Sequence, residues 1–353
     1  MKRWLGGVSS VLLAVAVTAC VSGTEPPPAA GSSEPSLRSY FRTDPGVDTA
    51  GVRLIPIRTP RGDFKVWTKR FGHNPRIRLL LLHGGPGATH EYFEALERPL
   101  AAEGIEFIYY DQLGSAYSDQ PKDESLWTIE RFVDEVEQVR QALELTRDDF
   151  YLLGHSWGGL LATEYALAHP QHLKGLVISN IMMSMPDYNR YASEVLAKGI
   201  DPAVVKEVRD LERSGAYEEP RYMELLTPHF YAKHVCRLEE WPDAVNRAFA
   251  KINKQVYVVM QGPSEFGLSG RLENWDRRTD LGKITVPTLV VGATHDTMDP
   301  EHMRWVSTQV KHGSFLLCPK GSHLAMWDDQ RTYAEGLVRF LKEVDAGGTT
   351  VVF

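Results

Sequence analysis

The pentapeptide Gly154-His155-Ser156-Trp157-Gly158 is the feature that most constrains how this chain can fold. Directly before it, residues 150–153 form a short, continuous apolar run, as in strands that are covered on both faces. Directly after it, residues 158–168 have the pattern of a helix. Gly-X-Ser-X-Gly alone is weak evidence, because it also fits a serine in an ordinary tight turn. Strand, sharp turn and helix together predict a nucleophile elbow, which exposes the hydroxyl of Ser156 at the top of a sheet.

Strands and helices alternate along most of the chain. The predicted strands are residues 52–57, 64–70, 77–82, 105–110, 150–153, 173–179, 288–291 and 315–318. Helical patterns occupy residues 89–101, 128–143, 158–168, 300–310 and 328–344. This order indicates parallel strands with right-handed crossovers, and the turn at residues 60–63 makes the first two strands an antiparallel hairpin at the edge. The sequence therefore predicts an α/β-hydrolase fold, a mostly parallel eight-stranded sheet with helices on both faces.

The alternation stops between residues 182 and 282, where the pattern is mostly helical. An insertion after the sixth strand would lie above the carboxyl ends of the strands, where open α/β sheets bind their ligands. We therefore predict a hydrolase core at residues 46–181 and 283–353. Residues 182–282 are predicted to form a helical cap that recognises the substrate.

The first 45 residues have the composition of an export signal followed by a linker. Lys2 and Arg3 precede a largely apolar run that is short for a membrane span. This run ends in Val17-Thr18-Ala19-Cys20, which resembles the lipobox of bacterial lipoproteins, although a plain signal peptide with a coincidental cysteine is the alternative. Residues 1–19 are thus predicted to be a lipoprotein signal peptide and residues 20–45 a flexible tether. The expectation is an exported bacterial lipoprotein, attached to the membrane through Cys20 alone on the periplasmic or cell-surface side.

Charge and cysteine content restrict the function classes. The formal net charge of -7, with no long basic run, argues against a nucleic-acid partner, because phosphate binding needs clustered Lys and Arg. No metal-ligand spacing is present, so neither a metal nor an organic cofactor is expected. Cys236 and Cys318 could pair in an oxidising compartment, but nothing in their spacing shows that they meet, and two buried free thiols are the preferred interpretation.

A serine nucleophile needs a base, and the base needs an orienting acid, in the chain order Ser, acid, His in this fold. His323 follows the last predicted strand and precedes the last helix, which is the position that the base must have. The acid belongs on the loop after the seventh strand, where Asp296 and Asp299 both qualify. Asp299 precedes Pro300 as the N-cap of a helix, so Asp296 is the preferred acid and Asp299 the alternative.

The oxyanion of the intermediate needs backbone N–H donors. One is predicted at Trp157, directly after the nucleophile. The other is predicted at Gly85, within the glycine-rich run of residues 83–87 that follows the third strand. The alternative for this run is a phosphate-binding loop, but neither Gly-Lys-Ser/Thr nor Gly-X-Gly-X-X-Gly is present.

Several motifs together resemble the prolyl aminopeptidases, also called proline iminopeptidases. They are His83-Gly84-Gly85-Pro86-Gly87, Asp111-Gln112-Leu113-Gly114-Ser115, Gly-His-Ser-Trp-Gly-Gly, Met260-Gln261-Gly262-Pro263-Ser264-Glu265-Phe266, Thr297-Met298-Asp299-Pro300 and Gly321-Ser322-His323-Leu324. The resemblance spans residues 52–341, and it departs at Leu113, where the family usually has Arg. It implies cleavage of an N-terminal residue, typically proline, from a peptide or amide.

The resemblance also implies substrate-binding residues. Family members recognise the free amine with glutamates in or beneath the cap, and the matching positions here are Glu265 and Glu239. Glu240 is a rival for the second position, and Glu239 also fits a solvated helix residue. Phe266 and Trp157 are predicted apolar walls for a proline ring, with simple core residues as the alternative.

Two other functions are also compatible with these residues. An esterase, or an amidase acting on other amino-acid amides, would use the same triad without the same demand for a free amine. A surface-anchored binding protein that lost catalysis is the alternative from another class. The expected partners are peptides or amides with a free N-terminal residue.

Overall fold

The structure is a computed structural model and describes residues 51–353. The predicted signal peptide, the lipidation site Cys20 and the tether at residues 20–45 lie outside the described residues. Among residues 51–353, no helix combines the length and the apolar character needed to cross a membrane.

A single eight-stranded sheet organises the described part of the chain. Its strands are β1 (Val52–Thr59), β2 (Gly62–Phe71), β3 (Arg78–Leu82), β4 (Glu106–Asp111), β5 (Phe150–His155), β6 (Gly175–Ser179), β7 (Thr288–Ala293) and β8 (Gly313–Cys318). Their order across the sheet is β1-β2-β4-β3-β5-β6-β7-β8. β2 pairs antiparallel with both β1 and β4, and all the other pairs are parallel. The predicted α/β-hydrolase sheet is confirmed.

The inner strands are buried because both faces of the sheet are covered. In β3, Leu80 and Leu82 join the core on one face, while Leu79 and Leu81 join the core on the other. All four side chains have zero exposure. This explains why the inner strands are continuous apolar runs in the sequence instead of alternating ones.

The α-helices flank the sheet or connect its later strands. They are α1 (Glu97–Ala102), α2 (Ile129–Ala142), α3 (Trp157–Ala168), α4 (Met185–Glu194), α5 (Pro202–Ser214), α6 (Pro220–Leu226), α7 (Ala232–His234), α8 (Asp243–Ala250), α9 (Lys254–Met260), α10 (Pro300–Gln309), α11 (Ala325–Asp328) and α12 (Gln330–Asp345). Short 3₁₀ helices occupy His90–Leu96, Glu124–Leu126, Pro170–His172, Leu196–Gly199 and Leu281–Lys283, and a π-helical turn occupies Thr227–Tyr231.

One predicted helix, residues 89–101, is two elements. A 3₁₀ helix, His90–Leu96, is followed by α1. Pro99 has no N–H to donate to the carbonyl of Ala95, so an α-helix cannot run continuously through this point. The carbonyl of Ala95 accepts instead from the side chain of Gln330, at 2.9 Å.

The chain between β6 and β7 carries α4 to α9, and part of it packs on the glycine-rich loop after β3. The N–H of Asn253 donates to the carbonyl of Gly87 at 2.8 Å. Arg247 and Lys251 pair with the buried Glu91, at 3.4 and 2.5 Å. These contacts hold α8 and α9 against the end of the sheet at which Ser156 lies.

The two cysteines within the described residues, Cys236 and Cys318, are buried and free, as predicted. Burial raises the pKa of Cys236 to about 11. Burial also raises the pKa of Cys318. Both thiols are therefore protonated and unreactive at neutral pH.

Candidate active site

Ser156 lies in the sharp turn between β5 and α3. Its backbone has φ 55° and ψ -126°, a conformation that L-residues rarely adopt. The turn depends on close backbone contacts: a Cβ on Gly154 would lie 1.9 Å from the carbonyl oxygen of Gly158, and one on Gly158 would lie 2.0 Å from that of Leu82. Glycine is therefore required on both sides of Ser156, which explains the pattern found in the sequence.

His323 and Asp296 come together on the loops that follow β8 and β7. Nδ1 of His323 lies 2.7 Å from Oδ1 of Asp296. Because a carboxylate oxygen only accepts, Nδ1 carries the hydrogen and Nε2 keeps its lone pair. Asp299, the alternative acid, instead accepts from the N–H of Glu301 at 2.9 Å and caps α10.

The two histidines beside Ser156 have opposite electrostatic surroundings. Burial alone lowers the pKa of His323, but the charge of Asp296 and the hydrogen bond to it raise that pKa above 6.5 overall. Burial, reinforced by His323, holds the pKa of His155 well below 6.5. His155 is therefore neutral, and its Nε2–H donates to the carbonyl of His323 at 2.7 Å. His323 is the histidine that can take up a proton.

The loop after β3 and the first turn of α3 face each other across Ser156. Gly85 has φ 51° and lines the cavity next to Ser156. The N–H of Gly84 is already donated to the hydroxyl of Tyr92, which lies 3.1 Å from Nδ1 of His155. Of these two neighbouring glycines, Gly85 is therefore the better candidate for an oxyanion donor. Trp157 is the first residue of α3, where backbone N–H groups have no partner within the helix.

One cavity of about 300 Å³ joins the predicted site residues. Ser156, His323, Gly85 and Glu265 all line it. Much of the remaining wall is aromatic, from Tyr92, Tyr217, Tyr222, Tyr231 and Tyr257. Its size is at the lower end of the range for ligand sites, which suits a small substrate group.

Glu265 is a buried carboxylate with one unsatisfied oxygen. Its Oε1 accepts from the hydroxyl of Tyr257 at 2.5 Å and from the amide of Gln261 at 2.9 Å. Oε2 is buried and has no hydrogen-bond partner among the described residues. An unpaired buried acceptor is costly, and a buried negative charge needs a positive partner. The chemistry of this oxygen therefore favours a cationic ligand group in the cavity.

Comparisons with known proteins identify the fold and the family of this chain. A family model for the alpha/beta hydrolase fold matches residues 77–330. The proline iminopeptidase of Flavobacterium johnsoniae is 60% identical over 292 residues, which cover 83% of this chain and 98% of that protein. The proline iminopeptidase of Elizabethkingia meningoseptica is 57% identical over 294 residues, with the same coverage. The chain belongs to the proline iminopeptidase family.

Solved structures extend the likeness to three dimensions. The crystal structure of proline iminopeptidase from Mycobacterium smegmatis has a TM-score of 0.70 and 30% identity, and the match covers 83% of this chain and 99% of that one. The crystal structure of VinJ has a TM-score of 0.76 and 29% identity, with coverages of 82% and 98%. The resemblance found in the motifs is confirmed, and this member of the proline iminopeptidase family is an enzyme.

Leu113 marks the departure from the usual proline iminopeptidase sequence. Its side chain is fully buried, and its N–H donates to Oε1 of Glu135 at 2.9 Å. Glu135 is paired with Arg131, one helical turn away on α2. The guanidinium that faces this buried carboxylate therefore comes from α2.

Two of the substrate-binding residues implied by the family resemblance are not where they were predicted. Glu239 and its rival Glu240 are exposed and do not line the cavity, so they keep their water and cannot form a desolvated ion pair there. Phe266 is buried, but it packs against Phe230 and beneath the guanidinium of Arg209, outside the cavity lining. These predictions are wrong.

The side chain of Trp157 is also not a wall of the cavity. Its indole N–H donates to the side chain of Gln112 at 2.8 Å, and its ring packs edge-on against Phe132. The prediction of an apolar wall at this residue is wrong, while the simple core residue, its alternative, describes the ring.

A set of possible metal ligands lies near the C-terminal end of α3, at the opposite end of this helix from Ser156. Among the described residues, Glu137, His169 and His172 place ligand atoms within 4.8 Å of one another. However, Arg140 binds both oxygens of Glu137, each at 2.8 Å, and Tyr165 donates to the same carboxylate at 2.7 Å. A guanidinium at this position opposes a second cation, so the cluster is better described as an ion-pair network.

Three residues that contribute to the site had no sequence prediction. Tyr92 and Tyr257 lie on helices, where aromatic residues are ordinarily core, and nothing local distinguishes them. Asn180 directly follows β6, and its amide donates to Oδ2 of Asp296 at 2.6 Å. The sequence does contain a signal for Asn180, which is a polar residue directly after a buried parallel strand. Ligand sites lie at the carboxyl ends of such strands, so this position favours a residue of the site.

Proposed function

We propose that this chain is a serine aminopeptidase that releases an N-terminal residue, preferentially proline, from peptides or amides. The observation that carries the proposal is Oε2 of Glu265, which has no hydrogen-bond partner within residues 51–353 and belongs to the same cavity as Ser156 and His323. A free N-terminal amine is the cation that a substrate of this kind would supply. The names of the relatives support proline as the preferred residue.

In the proposed reaction, the hydroxyl oxygen of Ser156 attacks the carbonyl carbon of the substrate's first residue. Its proton passes to Nε2 of His323, and Asp296 stabilises the imidazolium through Nδ1. The backbone N–H groups of Gly85 and Trp157 bind the oxyanion. Collapse of this intermediate breaks the C–N bond, and the departing amine takes the proton from His323.

The second half of the reaction releases the amino acid. Water attacks the ester of Ser156 while His323 removes one of its protons, and that proton returns to the oxygen of Ser156. The products are the free N-terminal residue and the shortened peptide or amine. This sequence needs no metal or organic cofactor.

Residues 182–282 are proposed as the cap that recognises the substrate. They supply Glu265 and Tyr257, which are hydrogen-bonded to each other, and Tyr231 and Tyr222, which also line the cavity. A peptide extended at its amino end would present a neutral amide to Glu265 in place of a cation. Such a substrate would leave the carboxylate unpaired, which explains why the enzyme would remove one residue at a time.

The first test compares substrates with and without the amine. We expect the enzyme to cleave Pro-β-naphthylamide, and to cleave the N-acetylated compound at least about 100-fold less efficiently, because the acetyl group removes the cation. Alanine and leucine naphthylamides measure the preference for proline. Equal kcat/KM for free and acetylated substrates would favour the esterase or general amidase instead.

The pH profile tests the role of His323. The base must be neutral to accept the proton of Ser156, and its pKa is raised above 6.5 by Asp296. We expect kcat/KM to fall as the pH decreases through this raised pKa, so that the acidic limb lies above the ordinary value for histidine. An acidic limb below 6.5 in a stopped assay of Pro-β-naphthylamide would contradict this assignment.

A further inference from the structure

Asn180 is a buried polar residue at the junction between the nucleophile and the acid. It directly follows β6, has zero exposure and adopts φ 53°, in the left-handed region. Its N–H donates to the carbonyl of Val291 on β7 at 2.9 Å. The carbonyl of the preceding residue, Ser179, accepts the N–H of Ser156 at 2.9 Å. The backbone of residues 179–180 therefore contacts both the nucleophile's turn and the strand that leads to Asp296.

The side chain of Asn180 completes the hydrogen bonding of Asp296. Oδ1 of Asp296 accepts the hydrogen bond from Nδ1 of His323. It also accepts from the hydroxyl of Thr297 at 3.3 Å and from the N–H of Met298 at 3.2 Å. Oδ2 accepts from Nδ2 of Asn180 at 2.6 Å. The same Nδ2 lies 3.4 Å from the carbonyl of Ser322, the residue before His323. One amide thus contacts the acid and the loop that carries the base.

The direction of this amide is fixed by its neighbours. The carboxylate of Asp296 only accepts hydrogen bonds, so it requires the NH₂ end of the amide. Oδ1 of Asn180 then accepts from the hydroxyl of Ser179 at 2.6 Å, which in turn accepts from the hydroxyl of Tyr333 at 3.0 Å. A chain of donors therefore runs from Tyr333 through Ser179 and Asn180 to Asp296.

We propose that Asn180 is a positioning residue, which holds the carboxylate of Asp296 aimed at Nδ1 of His323. Without the amide, Oδ2 would be a buried carboxylate oxygen with no hydrogen-bond donor among residues 51–353, and Asp296 could rotate away from His323. Such a rotation weakens the support for the imidazolium in the transition state. This inference rests on the proposed function, since it assigns a role within the same triad.

Two variants separate the side chain of Asn180 from its backbone. Glycine adopts φ 53° without strain, so N180G keeps the turn and removes only the amide. We expect kcat for Pro-β-naphthylamide to fall about 10- to 100-fold in N180G, because a buried charged acceptor loses its donor, while KM changes less than about threefold. The substrate does not touch this residue in the proposed mechanism, which is why kcat and KM should separate.

N180D preserves the shape of the side chain and introduces an ionisable group beside Asp296. Two carboxylates at this separation share one proton, so the pKa of the new carboxyl group is raised. Its O–H donates to Asp296 at low pH, as the amide does, and repulsion replaces that bond when the proton leaves. We expect the ratio of N180D to wild-type kcat to be highest at mildly acidic pH and to fall at least about tenfold as the pH rises.

Other titratable groups around Asp296 do not produce this signature. Burial raises the pKa of Tyr188, Tyr191, Tyr333 and Cys318, so these four groups stay neutral through the assay range. Burial lowers the pKa of His234, which is present in the wild type and in both variants. Glu265 and Asp328, which act on His323, and His323 itself are present in the wild type and in both variants. The ratio therefore isolates the group at residue 180.

Wild-type kcat in a folded N180G, or a pH-independent ratio for N180D, would overturn the inference. If N180G does not fold by circular dichroism, the N180D ratio decides alone. An inactive wild-type enzyme would refute the proposed function itself, whereas an active wild type with an equally active N180G would refute only the role of Asn180.

Discussion

Replacing Ser156 by alanine is expected to lower kcat for Pro-β-naphthylamide by roughly 10⁴- to 10⁶-fold, the loss seen when a serine nucleophile is removed. Alanine has no oxygen to form the ester, so the covalent route is closed, and the oxyanion donors and the base can assist only a direct attack by water. KM should change little, because the amine receptor at Glu265 is untouched. Single-turnover and steady-state release of naphthylamine measure both quantities.

A control substitution at another serine and a covalent probe show whether the loss of activity is specific to Ser156. Ser307 lies on α10, its hydroxyl bonds to the carbonyl of Arg304, and it does not line the cavity. Ser307→Ala should therefore keep kcat within about twofold of the wild type. A fluorophosphonate should label the wild type and Ser307→Ala but not Ser156→Ala. Aminopeptidase activity that survives in Ser156→Ala would rule out the covalent mechanism.

The sheet was predictable because each strand is marked by its own short stretch of sequence. Buried parallel strands are continuous apolar runs, and each of the eight predicted runs overlaps an observed strand. The ends differ by a few residues, as for Phe150–His155, because a strand ends where its pairing ends and the sequence does not record that point. The helix predicted at residues 89–101 is not continuous, because Pro99 interrupts an otherwise helical pattern.

The core of the site was predictable for a different reason, the fixed order of functional loops at the strand ends. That order selected His323, and a capping argument separated Asp296 from Asp299, which does cap α10. Between β6 and β7 no such order exists. There the position of a side chain depends on how several helices pack together, so the family motif located Glu265 in the cavity but gave wrong positions for Glu239 and Phe266.

Replacing Glu265 by glutamine is the second large effect, and it should depend on the substrate's amine. Oε1 keeps its hydrogen bonds to Tyr257 and Gln261, but an NH₂ group replaces Oε2. Because this group donates hydrogen bonds, it cannot accept one from the ammonium group of the substrate. Breaking a buried charge pair costs about 2–5 kcal/mol. We therefore expect kcat/KM for Pro-β-naphthylamide to fall about 30- to 5,000-fold. Hydrolysis of p-nitrophenyl acetate, which has no amine, should change less than about threefold.

Glu218, a second glutamate in the cavity lining, provides a control for Glu265→Gln. Its side chain is 60% exposed and pairs with Lys254 at 3.1 Å near the mouth. Water screens such a charge, so Glu218→Gln should alter kcat/KM for Pro-β-naphthylamide less than about threefold. If the two variants lose equal activity, a general negative potential attracts the substrate and Glu265 is not the amine receptor. If only Glu265→Gln loses activity, and only toward substrates with a free amine, the unpaired buried oxygen is what makes this hydrolase an aminopeptidase.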